Sequence, residues 1–344
     1  MYRSLSAKKE EKRLRKLLAI FHLCFISNAC MTIGDATSTK EFKKGMPMSE
    51  IVAVAVSGGS EKLVEAQALI KTEKRVPELR AYINPYIRDN LKTLPASSLA
   101  SAAQLYQIAN KQYDTDVLRA LIRHKNEEVS RKGWLMTAIV PSAKMQKFIR
   151  SEVDVFIVNN AEKSLLIPEF ADSVRINRLD DFESLLTMGL LEKGHDAFAK
   201  ALVELHPLTS AEHFLDYLSQ ADIEDLRQIN QKSIDMYTSL VILRYFVTAP
   251  VPPSHPGIGH LYLYAVSRNP ALSEMAQVVL DRQFPNAEQE FIFALAQQPV
   301  QVQVSMIEQI RQQPTSNFKR LLSGLKDVTR FDQVIEEINA ISRF

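Results

Sequence analysis

NPALSEMAQVVLDRQF, PNAEQEFIFALAQQ, PVQVQVSMIEQIRQQ and PTSNFKRLLSGLKD run without a break from residue 269 to residue 327, and the fold turns on how they are read. Their prolines, Pro270, Pro285, Pro299 and Pro314, are spaced by 15, 14 and 15. Proline suits the first turn of a helix, where its missing N–H has no intrahelical partner, and it stops the residue before it from continuing an earlier helix. The spacing predicts helices of roughly ten to twelve residues joined by corners of about two to four. Each segment carries one apolar face at intervals of three and four. The faces are Leu272, Met275, Ala276, Val279 and Leu280; Ala287, Phe291, Ala294 and Leu295; Val300, Val304, Ile307 and Ile310; and Phe318, Leu321, Leu322 and Leu325. A last helix is predicted on Phe331, Val334, Ile335, Ile338 and Ile341.

A pair of such helices recurs every 29 to 30 residues, and neither member can bury its stripe alone, so neighbouring pairs must stack. In this respect 266–344 resembles a HEAT or armadillo-type helical repeat. A looser trace lies within 96–245, where NEEVSRKGWLMTAI from Asn126 aligns with NPALSEMAQVVL from Asn269. Val129 then falls on Leu272, Ser130 on Ser273, Gly133 on Ala276 and Met136 on Val279, similar to the second helix of a HEAT repeat. The implied fold is all-α, an α-solenoid of stacked helix pairs. Only ten glycines and no Asn-Gly or Asp-Gly dipeptide argue against β-hairpins. The run Ile51–Val56, IVAVAV, stays open between a short buried strand and a helix capped by Ser49.

At the other end lies KKEEKRLRKLLAIFHLCFISNAC, residues 8–30: seven basic side chains, from Arg3 to Lys16, have passed before an apolar run that stops at a cysteine. Leu17–Ala29 is thirteen residues and includes His22, Ser27 and Asn28. A bilayer core needs about 20 apolar residues, so this run is too short to span it comfortably. Basic, apolar and small-residue blocks in that order are the layout of a signal peptide, with cleavage between Ala29 and Cys30. Ile26-Ser27-Asn28-Ala29-Cys30 also resembles a bacterial lipobox, with Ser27 standing where a branched apolar residue is usual. That resemblance implies acylation of Cys30, and Met31 after it implies sorting to the periplasmic face of the outer membrane. Cys24 and Cys30 are the only cysteines, so the chain after Cys30 can form no internal disulfide. An uncleaved anchor or a cytosolic amphipathic helix is the alternative.

The expected organisation is a signal peptide at 1–29, a lipidated polar tether at 30–48, an N-terminal helical region at 49–248 and HEAT-like repeats at 249–344. The last boundary lies in TAPVPPSHPGIGH, 248–260, where Pro250, Pro252, Pro253 and Pro256 predict a rigid corner or hinge.

The whole chain of 344 residues has a net charge of +2, but residues after 29 carry 35 Lys/Arg against 38 Asp/Glu, a net of −3. The basicity belongs to the leader. Residues 30–344 have no Lys/Arg stripe interleaved with aromatics, which removes the electrostatic footprint of nucleic acid binding. With 46% apolar residues, wholesale disorder is excluded as well.

Candidate chemistry is thin. His255 and His260 flank Pro-Gly-Ile-Gly and could share a metal, but no Cys, Asp or Glu lies between Ala249 and Val266 to complete a zinc set. His195, His206 and His213 have no HExxH spacing. Ser57-Gly58-Gly59-Ser60 has glycines for a phosphate cradle but no following Lys; a helix capped by Ser60 with Glu61 in its first turn accounts for it. Glu183-Ser184 resembles the catalytic Glu-Ser of some lytic transglycosylases. The glycine-rich stretch expected downstream in that family is replaced by HDAFAKALVELHP, and a first-turn acid following a cap at Asp180 or Asp181 is the alternative role for Glu183. Trp134 and the Tyr/Ile set of AYINPYIRDNL read as core.

The expectation is a non-catalytic periplasmic lipoprotein, held at the outer membrane by an N-terminal lipid anchor. It has no cofactor, no nucleic acid partner and no small-molecule substrate, and its partners are other envelope-complex proteins. A leader followed by a helical region of this size resembles the accessory outer-membrane components of a Dot/Icm-type IV secretion system. The alternatives are a peptidoglycan-cleaving or glycan-binding protein on a helical superhelix, and a cytosolic helical adaptor.

Overall fold

Pro270 opens a helix, and Asn269 caps it by accepting hydrogen bonds from the backbone N–H groups of Ala271 and Leu272. The computed structural model describes residues 41–221, 235–252, 255, 257–265, 267, 269–284, 287–312 and 316–341. Among these every regular element is helical and no strand occurs, so the chain is all-α.

In chain order the helices are α1 (Met48–Ser57), α2 (Gly59–Thr72), α3 (Val76–Asn90), α4 (Ala96–Ala109), α5 (Thr115–Ile122), α6 (Glu127–Ile139), α7 (Ala143–Val158), α8 (Pro168–Ile176) and α9 (Glu183–Lys193). They continue with α10 (Asp196–Leu205), α11 (Ser210–Ser219), α12 (Met236–Phe246), α13 (Ile258–Ala265), α14 (Pro270–Gln283), α15 (Ala287–Ala296), α16 (Val300–Gln312), α17 (Ser316–Val328) and α18 (Asp332–Ile341). Short 3₁₀ turns at Glu162–Leu165 and Asp180–Phe182 lead into α8 and α9.

Alternate helices pack together. α4, α6, α8, α10, α12 and α14 each contact the next in that series, while α3, α5, α9 and α13 pack against the helix that follows them. Beyond, α15 joins α13 to α17, and α16 rests on α18. The helices of the row thus bury their stripes on helices two places along the chain, and those between them pack on a sequence neighbour, so no stripe is buried alone. On α14 the expected Leu272, Ala276, Val279 and Leu280 are buried and Met275 is partly so. Leu295, Ile307, Leu321, Leu322, Leu325, Val334 and Ile338 are buried on the later helices, whereas Pro285 and Pro314 lie outside the described residues. Pro299 stands one place ahead of its helix, its carbonyl accepting from Gln303.

Ile51–Val56 is helical. Ile51, Val52, Val54, Ala55 and Val56 are all buried because α2, α3 and α4 pack on α1; the one exposed place within the run is the apolar Ala53, so the six residues carry no polar mark of the period that would have told helix from strand. Ser49 is not its cap; Pro47 precedes the helix and its carbonyl accepts from Glu50 and Ile51. Nor does Ser60 cap α2. The helix begins one residue earlier at Gly59, whose φ of +77° makes the sharp break after α1 and calls for glycine. Residues 31–40 of the expected tether are outside the described residues, but Phe42 and Met46 pack on the core and Met48 is buried.

Close crossings set the spacing of the rows. A Cβ on Gly133 would overlap Ile122, and one on Gly189 would enter the Phe198 ring, so these glycines let α6 approach α5 and α9 approach α10. Trp134 is fully buried, edge-on to Phe170 with ring centroids 5.1 Å apart, as a core residue.

The corner at 248–260 is tied down on both sides. Gln283 of α14 accepts from the Val251 N–H at 2.9 Å and donates to the carbonyls of Ala249 and Phe246. His255 meets Asp216 of α11 at 3.2 Å and accepts from the Gly257 N–H at 3.0 Å. Pro250 is exposed and Pro252 half-buried; Pro253 and Pro256 are outside the described residues. The corner ends earlier than its prolines and glycines suggest, because Gly259 and His260 already belong to α13. Buried apolar side chains before and after the corner belong to one cluster, from Met48 to Ile338.

Candidate functional site

Polar contacts between helices form a pattern that no single motif announces. Arg88 pairs with Asp114 at 2.9 Å, Arg119 with Glu152 at 3.0 Å, Arg150 with Asp181 at 2.6 Å, Arg131 with Glu169 at 2.8 Å and Arg175 with Glu204 at 3.1 Å. In each case the arginine comes first and the acid lies 26 to 38 residues later, one helix pair along. Glu152 is the extreme case: fully buried, it accepts from both Arg119 and Arg123, whose heads reach solvent. These pairs hold the rows in register.

Glu183 belongs to this set. It lies in the first turn of α9 as expected, but Phe182 rather than Asp180 or Asp181 precedes the helix, since those aspartates form the 3₁₀ turn. The Thr209 hydroxyl donates to one oxygen of Glu183, and His206 Nδ1 lies 3.4 Å from the other. The carboxylate therefore ties α9 to the corner between α10 and α11. His206 Nε2 and His260 Nδ1 are buried without a hydrogen-bond partner among the described residues, and burial lowers the His260 pKa. No group of three or more His, Cys, Asp or Glu side chains suited to a metal occurs among the described residues. Ala29 and Cys30 lie outside them.

One groove stands apart from these clamps. Because α6, α8 and α10 are successive members of one row, the segments that lead into them lie along a common edge. Arg123–Asn126 precedes α6, Glu162–Ile167 precedes α8, and Lys193–His195 precedes α10. Together they line a groove of about 630 Å³ with an apolar floor of Ile122, Phe156, Leu166, Ile167 and Pro168. Five lysines and arginines line it, Arg123, Lys125, Arg131, Lys163 and Lys193, with His124 and His195, against one carboxylate, Glu127.

Several of these cations are engaged. Arg123 is held by Glu152, and Arg131 forks onto Glu169, whose hydrogen bonds raise the guanidinium pKa further. Lys163 reaches Glu192 only at 3.7 Å and is 82% exposed. A hydrogen bond from His195 brings the Asp196 carboxyl down to about 2, with Lys200 assisting, and Asp196 in turn raises the imidazole pKa. Lys125 and Lys193 are exposed and have no ion pair among the described residues. They stand 68 residues apart, and only stacking of α6, α8 and α10 brings them to one groove. The sequence signal is slight: RHK at 123–125 and EKG at 192–194, each just before a helix of the same row.

A second, open concavity lies along α7, lined by Lys147, Arg150, Asp154, Val155 and Val158 among others, with Val158 79% exposed. No protein-family model, no curated protein and no solved structure matches this chain.

Proposed function

We propose that this protein is a non-catalytic scaffold, lipid-anchored through Cys30 to the periplasmic face of the outer membrane and built into a multiprotein envelope complex. The row packing of α4 to α14 carries the proposal, and we read it as a HEAT-like α-solenoid. A stack of this kind makes only neighbour-to-neighbour contacts and offers long ridges to partners. The succession of Arg–acid pairs supports the same role, because it places ionisable groups between helices as fasteners.

The anchor is argued from the leader. Two or three acyl chains, at about 0.8 kcal/mol per buried CH₂, hold a protein to a bilayer without a span. Among the described residues no helix is long and apolar enough to cross a membrane. A secretion-type assembly of the Dot/Icm kind is the complex that the layout of leader and helical region resembles.

The test is membrane fractionation with in-cell cross-linking. The wild-type chain is expected in the outer-membrane fraction, cross-linked to other envelope proteins. Cys30→Ser is expected to leave the membrane and lose those partners. A Cys30→Ser chain that fractionates and cross-links like the wild type would contradict the proposal.

A further inference from the structure

The groove across the leading ends of α6, α8 and α10 has cations that the fold itself does not use. We propose that it binds an extended acidic segment of a partner protein, one in which carboxylates alternate with apolar side chains. The inference rests on the scaffold reading and names the chemistry of one of its contacts.

Lys125, Lys163 and Lys193 all line the groove and precede α6, α8 and α10, so the order of the row sets Lys163 between the other two. Packed helices are about 8–10 Å apart, so two successive steps along the row span roughly 16–20 Å. An extended chain rises about 3.3 Å per residue, and five or six residues would cover that distance. Side chains of an extended segment alternate between two faces. One face can therefore offer carboxylates to Lys125, Lys163 and Lys193 while the other lies on Phe156 and Pro168.

The unpaired cations are lysines, compact charges on flexible stems that ask for no fixed geometry, which suits a segment of variable sequence. Lys163, loosely held by Glu192 at 3.7 Å, can turn to a new carboxylate at little cost. Local charge is the notable point: beyond the leader the chain is net negative, so cations gathered in one groove are not a general property of its surface. The apolar floor at Phe156 and Pro168 disfavours a polyphosphate backbone, which has no apolar face to set against it.

The probe is a fluorescent hexapeptide of alternating Asp and Leu, titrated by anisotropy into the full chain in detergent micelles, with a Lys/Leu hexapeptide and an oligothymidylate as comparisons. The acidic peptide is expected to bind, to weaken as salt rises, and to lose at least about tenfold in affinity on Lys125→Glu with Lys193→Glu. Lys125→Arg with Lys193→Arg is expected to retain binding. Circular dichroism checks that both double variants fold. No binding by the wild type, equal binding by the charge-reversed variant, or tighter binding of the oligothymidylate would overturn the inference. A wild type that fails to bind the peptide but still cross-links to envelope partners removes the groove and leaves the scaffold. Failure of the wild type in both removes the scaffold as well.

Discussion

Ser130 and Ser273 make the same hydrogen bond, each hydroxyl donating to the carbonyl eight residues earlier, to Ile122 at 2.7 Å and to Ala265 at 2.5 Å. Each stands four residues after a capping asparagine, Asn126 or Asn269, and each closes the corner onto the preceding helix. Ser210 reaches back to Leu202 in the same way, at 3.3 Å. The alignment of 126–139 with 269–280 therefore has a physical basis: Val129 and Leu272, then Met136 and Val279, are fully buried at matching places.

Ser130→Ala leaves the Ile122 carbonyl without that donor and is expected to cost about 1–2 kcal/mol. Ser273→Ala should cost less, because Gln277 Nε2 also donates to Ala265, at 3.3 Å. Urea unfolding of the two variants checks the order. Equal losses would contradict it.

Glu152 is buried and shared by Arg119 and Arg123. Either arginine alone still neutralises it, so Arg119→Ala and Arg123→Ala are each expected to be mild. Together they leave a buried charge without a partner, at about 3–5 kcal/mol. A double-mutant cycle reads the coupling, and simple additivity would show that Glu152 has another partner.

Gly189→Ala places a methyl group in the Phe198 ring, which is fully buried. A loss of about 1–3 kcal/mol is expected. Gly189→Ala with Phe198→Leu should be more stable than the sum of the single losses, because the smaller side chain makes room. Calorimetry of the four proteins decides.

The His195–Asp196 pair gives stability a signed pH dependence. Asp196 falls from its ordinary 3.8 to about 2 in the fold, so its contribution is present above about pH 4 and is lost as pH falls toward 2. His195 is raised above 6.5 by Asp196, so its contribution is full below that pH and fades as pH rises through the raised value. Asp196→Asn should flatten both limbs of the stability profile. A profile identical to wild type would show that the pair is not coupled to folding.

Much of this architecture is readable in the chain and some is not. Pro270 and the face from Leu272 to Leu280 are legible because a half-buried helix keeps its period. Ile51–Val56 is not, since its one exposed place is the apolar Ala53, which leaves no polar residue within the run to mark the turn. Ser60 looks like a cap, yet a glycine at positive φ decides where α2 begins. Among the site residues, Lys125 and Lys193 read as ordinary solvated corners until α6 and α10 are placed in one row. Glu183 illustrates the reverse case: its motif suggests chemistry, while Thr209 and His206 show it engaged in fastening helices.

The most direct test of a lipid-anchored scaffold is the intact mass and N-terminal sequence of the protein isolated from its native membrane. A chain that begins at Cys30 and carries acyl groups is the expected result. A chain that still begins at Met1, with Cys30 unmodified, would contradict the anchor and the periplasmic role built on it.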